Sequence, residues 1–348
     1  MSRGVTDPAV STRAGARRRM SPGWLGVVLA VALVIVVGLS LTLGAAALSP
    51  AEVWSALMAR LGGTTVDPLL AGIVWDLRMP RILTAALVGA GLGVAGVVMQ
   101  AVTRNPLADP YLLGLSSGAS FGAVAVLLAG LSFLLPVAAF AGALIAAAAA
   151  LGLAAAMGGL TPSRTVLAGV AVSAFAAALT SFVVFWFATG DTYREVLSWL
   201  LGSVAGARWP EVSIAAVSFL IAGLPLLMTG RLLDAFAFGD TSAAALGVHV
   251  PRTRWLMLGL TALLTGGLVS VSGSIGFVGL VLPHVVRLLV GPGHRALLPL
   301  SALAGAVFLV LADTIARTVF DPRELPVGVI TALVGAPVFA LLLLRSRK

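Results

Sequence analysis

Apolar runs recur ten times along the chain, near residues 24–43, 82–101, 112–130, 135–156, 165–188, 212–229, 254–272, 275–290, 296–316 and 327–345. A helix of about 20 apolar residues is what crosses the roughly 30 Å hydrocarbon core of a bilayer. Helices satisfy every backbone hydrogen bond within the segment, as lipid demands. The pattern therefore predicts an all-α integral membrane protein with about ten transmembrane helices. The run at 275–290 is the weakest. It is short and carries Pro283, His284 and Arg287, so a re-entrant segment is the alternative there.

Composition agrees with the pattern. With 59% hydrophobic residues, 10% charged and a mean hydropathy of +1.09, the chain has too little charge to cover a water-soluble surface. The net charge of +9 lies in short clusters between apolar runs, without the aromatic interleaving of a nucleic-acid groove. Topology explains it better. With the N-terminus inside, fifteen Lys and Arg fall on one side of the membrane and seven on the other, which places both termini in the cytoplasm. Arg17, Arg18 and Arg19 before an apolar run ending at Ala45, Ala46 and Ala47 imitate a secretory signal. The run is too long for that, and the reading is a basic, disordered tail over 1–22 followed by one transmembrane domain over 23–348. Cys is absent and Lys348 is the sole lysine, so no thiolate chemistry and no nucleotide-binding P-loop lysine is available. Any ATP is hydrolysed by another chain.

Glycine is placed at helical spacing rather than in linkers. Ala85, Gly89, Gly93 and Gly96 share one face of the second span, with Gln100 continuing it. Close helix packing is the first reading and a pathway-lining face the second.

Two non-spanning stretches carry information. Residues 44–81 form an external loop opening with Ser49, Pro50, Ala51 and Glu52, a capping box with proline at the first helical position. Val53, Trp54, Leu57, Met58 and Leu61 then fall on one side of a short amphipathic helix lying on the outer face. Residues 230–253 form an internal stretch. Arg231 to Phe238 makes two turns stopped by Gly239, and Asp240 starts a second short helix that stops at Gly247. Two such helices showing Leu232, Leu233, Phe236 and Leu246 would suit a soluble motor, and an ordinary connector is the alternative.

More specific motifs then accumulate. Leu77-Arg78-Met79-Pro80-Arg81, Asn105 to Pro110 leading into Leu113 to Ala119, and Gly276 to Arg287 resemble the FecCD family, permeases that import ferric siderophores, haem and cobalamin. Leu311-Ala312-Asp313 through Arg317, and Glu324 to Gly328 through Gly335-Ala336-Pro337, extend the likeness from about residue 24 to the C-terminus.

The resemblance implies the permease fold of type II ABC importers, with ten helices per subunit. It implies a dimer with itself or a close homologue, the pathway at the subunit interface, two ATPase subunits on the cytoplasmic face and an extracytoplasmic substrate-binding protein. It implies that helices two to five and seven to ten are related by inversion, and that the chain is no enzyme and holds no cofactor or metal. Arg78, Arg81 and Arg317 match arginines that pair with acidic residues of the binding protein. An internal pair with Asp76 or Asp313 is the alternative. Residues 231–250 match the coupling helices, with Leu232, Leu233, Phe236, Gly239, Asp240, Leu246 and Gly247 in contact with the ATPase. Thr161 and Ser163 fall where the cytoplasmic gate is expected, with Gln100, Gly89 and Gly93 on the pathway side; Pro162 departs from the family's small hydroxyl residues. Ferric siderophore is the first expectation for substrate, with haem or cobalamin as alternatives.

Other residues point to structure. His284 and Arg287 share a face but have no acidic partner in their span, so a helix contact is expected rather than a metal site or proton relay. Asp313, the one acid well inside a span, is read as an interhelical hydrogen bond or a partner of Arg317. A secondary transporter driven by protons or sodium would need more intramembrane carboxylates. An intramembrane protease would need His-Glu-x-x-His or a Ser/His/Asp set at one depth.

Overall fold

Helices account for every regular element among the described residues of the computed structural model, which are 20–44, 46–62, 65–320 and 323–346. The basic tail and Ala45 of the signal-like run lie outside them, apart from the tail's last three residues. Seven helices are long and apolar enough to cross a membrane: α1 (Pro22–Thr42), α3 (Pro68–Thr103), α5 (Ser132–Ala156), α6 (Pro162–Phe187), α8 (Trp209–Leu227), α11 (Val250–Ser272) and α13 (His294–Thr318). Three further apolar helices complete the ten expected segments: α4 (Leu115–Leu128), α12 (Val278–Val290) and α14 (Val327–Ser346). Four short helices lie between spans: α2 (Pro50–Gly62), α7 (Gly190–Leu200), α9 (Gly230–Ala237) and α10 (Asp240–Ala245).

The core is built on α3, which is buried along most of its length and crosses α13, α11 and α12. A Cβ on Gly89 would overlap the carbonyl of Gly305, one on Gly93 that of Ser301, and one on Gly96 that of Gly279. The glycine face of the second span is therefore a packing face, as small residues allow in lipid. Gly89 and Gly93 lie against α13. Gln100 is likewise committed inside. Its amide donates to the Leu280 carbonyl at 3.1 Å, and its oxygen accepts from Arg287 Nη2 at 2.9 Å, tying α3 to α12.

The loop over 44–81 is shorter than expected because α3 begins at Pro68, with Asp67 capping it and a turn of π-helix at Ile73–Arg78. At 36 residues α3 is roughly 54 Å long, so it runs well past the hydrocarbon core. The capping box of α2 is present: Ser49 N and Oγ donate to Glu52 Oε2 at 2.7 and 2.8 Å, holding that carboxyl below its ordinary pKa. Its inner face differs from the expected one. Val53 and Ala56 are buried, whereas Trp54 points away; the side chain of Leu61 is not among those described. The reason is Trp75, whose Nε1 donates to the Ala56 carbonyl at 3.0 Å and whose ring stacks on Trp209 at 6.2 Å, fixing which side of α2 faces the bundle.

At 13 residues α12 is about 20 Å long, short of the bilayer core. Gly279 meets Gly96 well inside the bundle, so α12 starts at depth and the segment 273–277 turns back within protein. Non-helical backbone survives there because its polar groups are satisfied. The Tyr111 hydroxyl donates to the Ile275 carbonyl and accepts from the Ile275 N–H, both at 3.1 Å, and Ser116 bonds Ser274 at 2.5 Å.

Candidate functional site

The two ends of the bundle carry different chemistry. At the end where α3 begins, Arg78, Arg81, Arg208, Arg317 and Glu324 line a cavity of about 400 Å³. The three arginines expected to act together do meet here. They are not exposed tips, however: Arg78, Arg81 and Arg317 are 6%, 7% and 6% exposed. Arg81 grips Asp313 through Nε at 2.9 Å and Nη2 at 2.9 Å, and its Nη1 reaches Glu324 at 2.7 Å. Arg78 donates to the carbonyls of Leu41 and Ala46, and Arg317 to the carbonyl and hydroxyl of Ser40. Asp313 is thus the partner of Arg81, not of Arg317 four residues on, because α3 presents its guanidinium across the interface while Arg317 turns toward α1. Four guanidiniums against two carboxylates leave the cavity cationic. Arg208, which sequence reasoning passed over, is its most exposed arginine.

At the opposite end α9 and α10 form a foot between α8 and α11. Gly239 joins them at φ +92°, and Gly247 ends α10 at φ +84°, backbone that glycine adopts without cost. The boundaries are those expected, and of the four side chains expected to show, Leu232 and Leu246 do while Leu233 and Phe236 do not. Leu233 and Phe236 are fully buried, while Leu232, Phe238 (75% exposed) and Leu246 (69%) point out. Phe236 is drawn in by the Arg254 guanidinium, 5.5 Å from its ring. Asp240 pairs with Arg254 at 2.9 Å and with Arg104 at 3.6 Å, and Asp234 accepts from the His294 backbone N–H at 2.8 Å. The foot is therefore fastened to α3, α11 and α13.

Thr161 caps α6, accepting from Arg164 N at 3.4 Å, with Pro162 at the first helical position. Proline suits that position, where its missing N–H would have had no partner. Ser163 is exposed one residue on. Along the flank of α6 a second cavity of about 680 Å³ opens, edged by Asp109, Tyr111, Ser116, Ser117 and Ser173 and closed at one side by Phe277. Asp109, Ser116, Ser117 and Phe277 stand in the family motifs without an assigned role, and Tyr111 and Ser173 were not singled out. Phe277 is a bulky side chain at φ +68°, which only its packing against Gly335 and the break before α12 makes legible. His284 and Arg287 bring no acid with them, and among the described residues no group of His, Cys, Asp and Glu has the spacing of a metal site.

A membrane bundle with an open lateral cavity, a cationic mouth at one end and an apolar-tipped foot at the other has the make-up of a multi-pass permease subunit. The chain belongs to the FecCD transport family, whose model matches residues 32–345. It is 47% identical over 279 residues to the cobalamin import system permease protein BtuC of Halobacterium salinarum, covering 79% of this chain and 74% of that one. It is 37% identical over 347 residues to the Fe(3+)-citrate import system permease protein YfmD of Bacillus subtilis, covering 96% and 98%. A solved structure described as the inward-facing conformation of a metal-chelate type ABC transporter superposes with a TM-score of 0.81 at 34% identity, covering 93% of this chain and 99% of that one.

Proposed function

We propose that this chain is the permease subunit of an importer for metal chelates, with ferric siderophores as first substrate, driven by ATP hydrolysis in two separate subunits. The observation that carries the reading is the placement of two unlike surfaces at opposite ends of one bundle. The cationic mouth suits carboxylates of a substrate-binding protein outside, since guanidinium keeps its charge and grips carboxylate in two-pronged fashion. The foot suits a groove on an ATPase inside, which puts both termini in the cytoplasm. The flank cavity along α6 faces a second copy of the chain, and substrate passes between the two copies. Selection is left to the binding protein, because the cavity offers hydroxyls and one carboxylate rather than a shaped ligand set. Cobalamin is the second reading, favoured by the 47% identity to a cobalamin permease.

The test is uptake in liposomes holding the permease with its ATPase and binding protein. Accumulation of ferric chelate requires ATP and no ion gradient, and labelled cobalamin run in parallel decides between the two substrates. Uptake by the chain alone on a proton or sodium gradient overturns the proposal.

A further inference from the structure

One guanidinium touches three parts of the α9–α10 end of the molecule. Arg254, in the first turns of α11, is 5% exposed. Its Nη1 donates to the carbonyl of Leu160 at 2.8 Å, its Nη2 donates to Asp240 Oδ1 at 2.9 Å, and its Cζ lies 5.5 Å from the Phe236 ring centroid. Phe236 belongs to α9 and Asp240 opens α10. Leu160 directly precedes Thr161, the cap of α6. The planar fork of arginine holds two acceptors at a fixed angle, which a point charge on a flexible stem cannot do. Arg104 also reaches Asp240, but at 3.6 Å, largely in solvent and without a contact to Leu160.

We infer that Arg254 is a positioning residue that makes the foot and the start of α6 move as one body. The inference rests on the proposed function for its consequence and on geometry alone for the link. From Thr161 a continuous helix leads to Ser173 on the edge of the 680 Å³ cavity, roughly 18 Å away at 1.5 Å per residue. A push on α10 thereby reaches the cavity wall without passing through the buried core of α3.

The chain has no cysteine, so spin labels introduced at Ser163 and Ser242, both exposed, report this separation once labelled chains are diluted with unlabelled copies so that distances between two copies drop out. In the full-length permease Arg254 keeps the label distance narrow, and Arg254→Met widens the distribution at least twofold while Arg104→Met leaves it unchanged. In the complex with ATPase and binding protein, Arg254→Met lowers substrate moved per ATP at least tenfold, and Arg104→Met changes it by less than twofold. Should Arg254→Met not fold, Arg254→Lys, which keeps a cation for Asp240 but gives up the second arm, shows the same widening and the same loss. A narrow distribution in whichever variant folds, an unchanged yield per ATP, or equal losses in the Arg254 and Arg104 variants overturns the inference. Absence of ATP-driven uptake in the unmutated complex overturns the transport reading instead, and the label widths still decide the link.

Discussion

Arg81 and Asp313, 232 residues apart in sequence, close on each other across the α3–α13 crossing, with Nε and Nη2 of the guanidinium on the two carboxylate oxygens at 2.9 Å each. Both side chains are nearly fully buried. A buried pair of this kind contributes little over an apolar pair of the same volume, but removing one partner strands a charge, at a cost of about 3–5 kcal/mol. Asp313→Leu is expected to lower the thermal midpoint in detergent markedly. The double variant Arg81→Met, Asp313→Leu is expected to recover most of that loss, because Glu324 is half-exposed and can be left to water. A single variant that melts like the unmutated protein removes the pair from the account.

On the rim of the cationic mouth the exposed arginine is Arg208. Arg81 is engaged by two carboxylates, whereas Arg208 is exposed on the same rim, where charge reversal disturbs no internal partner beyond its α8 cap. Arg208→Glu should leave folding intact and reduce stimulation of ATP hydrolysis by the binding protein severalfold, with the deficit growing as salt is lowered, since like charges then meet with less screening. Arg78→Glu and Arg317→Glu set a buried carboxylate against the carbonyls of Leu41, Ala46 and Ser40 and should lower the thermal midpoint instead. Binding-protein stimulation that is unaltered in Arg208→Glu retires the mouth as a docking surface.

The ten apolar segments, the capping box of α2 and the glycine-bounded foot were legible because each depends on local periodicity or on a residue type with one strong backbone preference. What a side chain faces was less legible. Leu233 and Leu232 are adjacent, equally apolar and at opposite exposures, and the Arg254 guanidinium that packs on Phe236, on the same face of α9 as Leu233, comes from another helix. The early start of α3 was hidden because Asp76, Arg78 and Arg81 make its first turns look like loop, while their partners lie far away in sequence or in solvent. α7 went unseen for a similar reason: its buried anchor, Val196, packs on Val124 and Leu127 of α4, contacts that no window of sequence contains.

The foot separates two effects that one substitution would confuse. Phe238 and Leu246 stand in solvent, so Phe238→Asp and Leu246→Asp remove apolar contact area from a partner without touching the bundle. Each is expected to release the ATPase during purification while the permease keeps its thermal midpoint. Phe236→Asp instead buries a carboxylate beside Leu233 and is expected to destabilise the fold itself. Retention of the ATPase by the Phe238 and Leu246 double variant argues that the foot is an ordinary connector.

Gly89 sets how closely α3 and α13 approach, and the same chemistry at another glycine provides the control. A Cβ at Gly89 would overlap the Gly305 carbonyl, and the reciprocal Cβ at Gly305 would overlap the Gly89 carbonyl. Neither obstacle is the end of a flexible side chain, so accommodation requires the two backbones to part, and every contact along the crossing loosens with them. Gly152 on α5 meets nothing within 4 Å. Gly89→Ala is therefore expected to cost about 1–3 kcal/mol, the range for overpacking a dense core, and Gly89→Leu to yield no folded protein, whereas Gly152→Ala leaves stability unchanged. Parallel thermal scans of the variants in one detergent measure the difference. Equal midpoints for Gly89→Ala and Gly152→Ala mean that α3 and α13 do not touch backbone to backbone in the membrane, and the bundle is then held by its larger side chains instead.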